Sequence, residues 1–162
     1  MTSSELRAEA LAILDAADAH MSFDHAVADF PERAMNARPP SVDYTPWQLL
    51  EHLRITQWDI LEYIRNPDHV SPDWPIGYWP DRTATATPEG FAATVAAFRA
   101  DLAALRELVA DPSADLLAVL PDTPGHSVLR EVRVVADHNA YHIGEFAILR
   151  QVMGSWPADR RG

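Results

Sequence analysis

The last quarter of the chain repeats apolar residues at intervals of three and four, and two histidines lie inside this repeat. His138 and His142 are four residues apart. Because an α-helix repeats every ~3.6 residues, both imidazoles leave the same face of a helix, about one turn apart. The pattern therefore predicts a core-facing helix that brings two nitrogen ligands to one place. The apolar residues that flank the pair are Val134, Val135, Ala136, Ile143, Phe146 and Ala147.

Earlier stretches show the same periodicity and begin with helix-capping residues. In Thr45-Pro46-Trp47-Gln48, Thr is a favourable N-cap, Pro suits the first helical position and Gln completes a capping box. Thr2 and Glu5 form a similar start signal at the beginning of the chain. The predicted helices cover about residues 4–19, 45–64, 87–110 and 127–153, with a short helical piece at 22–27.

These elements predict an all-α fold, a four-helix bundle built from the four long helices. No stretch alternates apolar and polar residues over a useful strand length. The long crossing connections, at 31–44, 66–87 and 111–126, allow the helices to pack in an order that differs from their order in the chain. A length of 162 residues fits one domain. We place this domain at 1–162, with a loose tail at 155–162.

Composition argues against several classes of function. The net charge of -11 disfavours nucleic acid and anionic membranes as partners, since both attract basic surfaces. The chain has no cysteine, which excludes disulfides, Cys-ligated zinc, iron–sulfur clusters and a cysteine nucleophile. No segment approaches the ~18 consecutive apolar residues of a membrane span, and the first residues lack the pattern of a signal peptide. We therefore expect a cytoplasmic protein.

A third histidine, His52, lies about two turns into the second predicted helix and is also set in an apolar pattern. Three neutral imidazoles with an open coordination position are what a metal ion needs to activate water or to bind a substrate. Two histidines at this spacing also occur by chance on exposed helices. Here the core-like surroundings favour a metal site, because buried imidazoles need partners. We predict that the metal ligands are His52, His138 and His142.

Three carboxylates fall on roughly the same helix faces as these histidines. Glu131 and Glu145 lie seven residues before and after His138, and Asp59 lies seven residues after His52. Glu145 also lies three residues after His142. A carboxylate in such a position can orient a metal ligand or transfer a proton. Asp59, Glu131 and Glu145 are therefore the candidate catalytic residues.

The proline-rich segment 66–87 also carries Trp74, Tyr78 and Trp79. Aromatic residues at this density indicate an ordered loop that packs against the helices, and long ordered loops are often functional. The three aromatic residues could form a wall of a substrate pocket, or the loop could only protect the core. The remaining histidines are predicted to lie outside the site: His20, His25, His69 and His126.

At these motifs the chain resembles the DinB superfamily, also described as DinB/YfiT-like. The resemblance rests on three blocks: Thr45 to Leu53 with its histidine, Asp137 to Glu145 with the His-x-x-x-His spacing, and Leu149 to Trp156 at the end of the last helix. It implies a helical bundle with one divalent metal ion held by three histidines, here His52, His138 and His142. Zinc or nickel is expected first, and iron or manganese would also suit imidazole and water ligands.

The resemblance further implies a homodimer, and some relatives are transferases or isomerases that use a low-molecular-weight thiol. Our leading hypothesis is a metal-dependent enzyme, a thiol-dependent S-transferase or a hydrolase, acting on a small-molecule substrate. The alternative is a stress-related protein that binds a metal or small ligand without catalysis. A third hypothesis is a purely structural bundle whose histidines are only packed.

Overall fold

The structure, a computed structural model, describes residues 2–15 and 19–158. Within these residues the chain forms five α-helices and no extended strand, so the all-α prediction is confirmed. Four of these helices are long, and the other is the short piece that the sequence predicted near 22–27. The helices are α1 Ser3–Asp15, α2 Phe23–Val27, α3 Pro46–Arg65, α4 Pro88–Ala110 and α5 Val128–Val152, and two 3₁₀ turns cover Glu32–Ala34 and Ile76–Tyr78.

The four long helices do not pack in chain order. Both α1 and α3 pack against α4 and against α5, so their order around the bundle is α1, α4, α3, α5. The connections from α1 to α3 and from α4 to α5 therefore cross the bundle diagonally, which explains why both are long. This arrangement places α3 directly beside α5, and these are the two helices that carry the predicted metal ligands.

Capping residues set the helix starts as the sequence predicted. In α3, the Thr45 side chain accepts a hydrogen bond from the backbone N–H of Gln48, and the Gln48 side chain accepts one from the backbone N–H of Thr45. At the start of α5, the Ser127 side chain accepts a hydrogen bond from the backbone N–H of Arg130. Each such cap stabilises a helix end by about 1 kcal/mol, and it fixes the helical register from which the histidines project.

The first helix is described as far as Asp15. Ala19 lies in a turn, so the prediction of a helix as far as residue 19 is wrong at its last residue. Residues 16–18, which belong to the first predicted helix, lie outside the described residues.

The start of the segment predicted as a loose tail is packed instead. Ser155 is buried, and its backbone carbonyl accepts a hydrogen bond from the guanidinium of Arg150. The same guanidinium lies 4.0 Å from the centre of the Trp156 ring. Arg150 is fully buried and also donates to the carbonyls of Ala26 and Ala28. A buried guanidinium needs several acceptors, and Ser155 supplies one of them. Residues 159–162 lie outside the described residues.

The loop 66–87 is ordered and is attached to the start of α3. The side-chain nitrogen of Gln48 lies 3.1–3.2 Å from the carbonyl oxygens of Asp81, Arg82 and Ala84. The loop therefore returns to the end of the bundle where α3 begins, close to His52.

In the part of the chain that the structure describes, no helix combines the length and the apolar character needed to cross a bilayer.

Candidate metal centre

Three histidines from two helices converge on one point. His52 projects from α3, and His138 and His142 project from α5. The Nε2 atom of His52 lies 3.1 Å from Nε2 of His138 and 3.2 Å from Nε2 of His142. His52 is buried and the other two are partly buried. The structure thus brings together all three of the predicted ligands, and the contact between α3 and α5 is what joins them.

In two of these rings, the Nδ1 atom, which is not part of the cluster, forms a hydrogen bond to another residue. His52 donates its Nδ1–H to the backbone carbonyl of Tyr78 at 2.8 Å, and His142 donates its Nδ1–H to Glu145 Oε2 at 2.6 Å. A neutral imidazole carries only one N–H. With the proton on Nδ1, the Nε2 atoms of His52 and His142 present lone pairs to each other at 3.2 Å.

This arrangement is unfavourable unless a cation lies between the lone pairs. His138 Nε2 could donate one hydrogen bond to His52, but no proton remains for the contact between His52 and His142. Protonation does not relieve the conflict, because burial, followed by the charge of the neighbouring imidazoles, lowers the pKa of His138 to about 3. Burial likewise lowers the pKa of His142 to about 4. Burial also lowers the pKa of His52. All three rings are therefore neutral near pH 7, which is the form that ligates metals.

The geometry suits one divalent ion. With metal–nitrogen bonds of ~2.0–2.1 Å, tetrahedral angles place two ligating nitrogens ~3.3 Å apart. The observed separations from His52 are 3.1 and 3.2 Å. The Nδ1 atom of His138 has no hydrogen-bond partner among the described residues. His138 therefore lacks the outer hydrogen bond that fixes His52 and His142.

Aromatic side chains line the histidine cluster on the side of the loop. The indole of Trp79 stacks on the imidazole of His52, with 4.0 Å between ring centres and 3° between planes. Tyr44 lies beside Trp79, with 5.2 Å between ring centres, and its hydroxyl donates to Glu145 Oε1. Tyr44 and Trp79 thus enclose one side of the site, and both are partly buried.

Of the three candidate carboxylates, only Glu145 contacts one of the three histidines. Its Oε2 atom bonds His142, and burial raises the pKa of its carboxyl group above the usual value. Glu145 lies three residues from His142, which is less than one helical turn. Glu145 can therefore hold the ring of His142 in place and make it a stronger ligand.

Asp59 and Glu131 do not contact the three histidines. Each lies seven residues from the nearest of these histidines on its own helix, and seven residues span ~10.5 Å along a helix axis. Asp59 instead bonds the side chains of His69 and Tyr78, and it reaches His52 only through Tyr78. Glu131 pairs with Arg130 and lies 3.3 Å from the ring of His126. Glu131 therefore does not contact the histidine cluster, and Asp59 is connected to it only through Tyr78.

Two of the three aromatic residues of the loop contact His52, and the third does not. Trp79 contacts His52 through its ring, and Tyr78 contacts His52 through its carbonyl. Trp74 is 77% exposed, and among the aromatic side chains described it contacts only the ring of Tyr78, so it does not contact the three histidines. His20 and His25 are exposed as expected. His69 bonds Asp59, and His126 bonds the hydroxyl of Tyr63 and lies 3.3 Å from Glu131.

The sequence analysis missed Tyr44 and the carbonyl of Tyr78. Tyr44 directly precedes the capping box of α3, but it lies outside every periodic pattern. The Tyr78 acceptor is a backbone atom, which every residue carries, so no side-chain signal could have indicated it.

The family model for the DinB superfamily matches residues 6–146, which include all three histidines. No curated protein and no solved structure matches the chain.

Proposed function

Since the chain belongs to the DinB superfamily, we propose that it is a metal-dependent enzyme that holds one divalent ion on His52, His138 and His142. The proposed reaction is a group transfer or a hydrolysis on a small-molecule substrate. The observation that carries the proposal is the pair of Nε2 lone pairs that face each other between α3 and α5. Protein interiors do not usually leave such a contact without a partner.

The donor set narrows the choice of ion. Three imidazole nitrogens suit zinc and nickel, and they also suit iron or manganese with water in the remaining positions. We propose zinc or nickel first. When bound, such an ion supplies Lewis acidity, which polarises a substrate oxygen or lowers the pKa of a coordinated water or thiol.

The number of protein ligands supports catalysis over a structural role. Among the described residues, only the three histidines form a group whose ligand atoms lie together. Structural zinc sites commonly use four protein ligands, whereas catalytic sites use three and leave a position for water or substrate. Glu145 is not in this group, and its two oxygens accept hydrogen bonds from His142 and Tyr44.

The residues around the site have distinct proposed roles. Glu145 orients His142, and the carbonyl of Tyr78 orients His52. The rings of Tyr44 and Trp79 limit the access of water from one side and offer an apolar surface to a substrate. Because the chain has no cysteine, any thiol in the reaction must arrive as a co-substrate. A low-molecular-weight thiol is therefore the first co-substrate to test.

The second candidate is a protein that binds a metal or small ligand without catalysis. The same histidines serve both functions, so the occupant of the fourth coordination position discriminates between them. An exchangeable water at that position supports an enzyme. A ligand from the protein itself supports storage or a structural role. X-ray absorption spectroscopy of the zinc-loaded protein with and without a thiol distinguishes the two, because a thiol sulfur enters the shell only if the position is open.

Elemental analysis of untagged protein tests the metal site directly. We expect about one divalent ion per chain in the wild type and none in the variant with His52, His138 and His142 all replaced by alanine. The single variant His138→Ala should also lose tight binding, because two imidazoles remain. His25→Ala is the matched control, since His25 is an exposed histidine of α2. Full occupancy in His138→Ala would contradict the assignment.

A further inference from the structure

A buried carboxylate outside the ligand set fastens the loop 66–87 to α3. The Oδ1 atom of Asp59 lies 2.7 Å from Nε2 of His69, and its Oδ2 atom accepts a hydrogen bond of 2.7 Å from the hydroxyl of Tyr78. The side chains of Asp59 and His69 are 9% and 7% exposed. One carboxylate thus holds the loop at two positions that are nine residues apart in the chain.

Tyr78, the second of these two residues, also contacts His52, a proposed metal ligand. Its hydroxyl donates to Asp59, and its backbone carbonyl accepts from the Nδ1–H of His52. The next residue, Trp79, stacks on the ring of His52. Asp59 and His52 lie two turns apart on α3, and Tyr78 spans the distance between them. The hydroxyl of Tyr78 remains protonated and able to donate, because burial, together with Asp59, raises its pKa to about 12.

Between the two attachment points, the backbone at Gly77 lies against Pro72. A side chain on Gly77 would place its Cβ atom 2.6 Å from Cβ of Pro72, a separation that would force the loop to shift. Gly77 directly precedes Tyr78, so a displacement there moves the carbonyl that His52 uses. The position of this carbonyl therefore depends on both the Asp59 contacts and the fit of Gly77.

We propose that Asp59, through the hydroxyl of Tyr78, is a positioning residue that holds the Tyr78 carbonyl and the Trp79 ring against His52 and so aims His52 Nε2 at the metal. The proposal rests on the proposed function in that it takes a metal ion to be the ligand of the site. Asp59 itself neither binds the metal nor transfers a proton to the substrate. His69 shares the carboxylate and fixes its rotamer.

Removal of a single hydroxyl tests this connection. Tyr78→Phe keeps the ring and the backbone carbonyl but breaks the bond to Asp59. We expect it to weaken zinc binding about 10-fold, within the range seen when groups that support metal ligands are removed. The dissociation constant is measured by competition with a chromophoric chelator. The visible spectrum of the cobalt-substituted protein should shift as well, because the geometry at His52 changes.

Tyr63→Phe is the matched control. Tyr63 lies on α3 near Asp59, and its hydroxyl bonds His126, which does not contact the three histidines. This variant loses a hydroxyl at a similar depth and should bind zinc as tightly as the wild type. A purely structural role for Tyr78 would lower the melting temperature of metal-free Tyr78→Phe and leave its zinc affinity unchanged, which would contradict the proposal.

Gly77→Ala supplies a second test that leaves Asp59 and the hydroxyl of Tyr78 in place. It should also weaken zinc binding, because the clash with Pro72 displaces the carbonyl of Tyr78. Zinc affinities equal to that of the wild type in both Tyr78→Phe and Gly77→Ala would overturn the proposal.

The nitrogen-15 chemical shifts of His52 in metal-free protein separate this inference from the proposed function. In the wild type they should report a proton on Nδ1, and in Tyr78→Phe a mixture of the two neutral tautomers. If the wild type bound no metal, the proposed function would fail, and His52 would have no metal to bind. An unchanged tautomer in Tyr78→Phe would contradict only the positioning role of Asp59.

Discussion

His142 and Glu145 form a carboxylate–histidine pair within one turn of α5, with 2.6 Å between Nδ1 and Oε2. The pair fixes the tautomer of His142, so that its Nε2 atom faces the other two histidines. A carboxylate partner also makes an imidazole a stronger metal ligand. The same carboxylate accepts from Tyr44, which ties the pair to the segment just before α3.

The first prediction concerns this pair. Glu145→Ala should weaken zinc binding about 10-fold or more, because the ring of His142 can then rotate and lose its tautomer. Glu145→Gln should have a smaller effect, since a glutamine oxygen still accepts the Nδ1–H. Isothermal titration against a competing chelator measures both changes. Glu62→Ala is the control, because Glu62 forms a pair of the same spacing with Arg65 on α3, and its zinc affinity should not change.

The sequence was sufficient to predict the features that arise from local patterns. The Thr45 and Gln48 side chains cap α3 through bonds that span only three residues. The spacing of His138 and His142 follows from helical geometry. Glu145 could be selected because three residues on a helix bring two side chains together. In each case the pattern and the contact lie within the same element.

Contacts between different helices and loops could not be predicted from such patterns. Asp59 shares a helix face with His52, but two turns separate them, and only the folded loop shows that Tyr78 fills the interval. Glu131 shares the heptad position of His138, yet its partners are Arg130 and His126. A heptad spacing thus identifies a common face but does not establish contact.

The second prediction concerns the pH dependence of metal-free protein. The pKa of His138 is about 3 and that of His142 about 4 in the folded chain, against 6.5 for an unperturbed histidine. Well above pH 6.5 these two rings are neutral in both the folded and the unfolded chain, and there they contribute no pH dependence to the free energy of unfolding. As the pH falls from 6.5 towards about 4, the unfolded chain binds protons that the folded chain does not, so stability falls.

Urea denaturation of metal-free protein at several pH values between 7.5 and 4.5 measures this effect. The free energy of unfolding should decrease more steeply below pH 6.5 in the wild type than in a His138→Ala/His142→Ala variant. The difference between the two curves isolates these rings from the other titrating groups. Parallel curves over the whole range would show that the histidines are not buried in the neutral form.

The third prediction uses the contact between Trp79 and His52. Open-shell ions such as Co²⁺ quench the fluorescence of nearby indoles, and the indole of Trp79 stacks directly on a proposed ligand. Cobalt should therefore reduce the emission of the wild type, and Trp79→Phe should lose a clearly smaller fraction of its emission. Trp74→Phe serves as the control, because Trp74 is 77% exposed and does not contact the three histidines. Equal fractional quenching in the two variants would contradict the observed stacking.

The fourth prediction links metal binding to folding. An ion that binds only the folded chain stabilises it by about 2.7 kcal/mol when its free concentration is 100 times the dissociation constant. A chelator should therefore lower the melting temperature of wild-type protein purified with its metal. It should not change that of the variant with alanine at 52, 138 and 142, because that variant has no site. A chelator effect of equal size in both proteins would indicate that the ion binds elsewhere on the acidic surface, whose net charge of -11 attracts cations without a defined site.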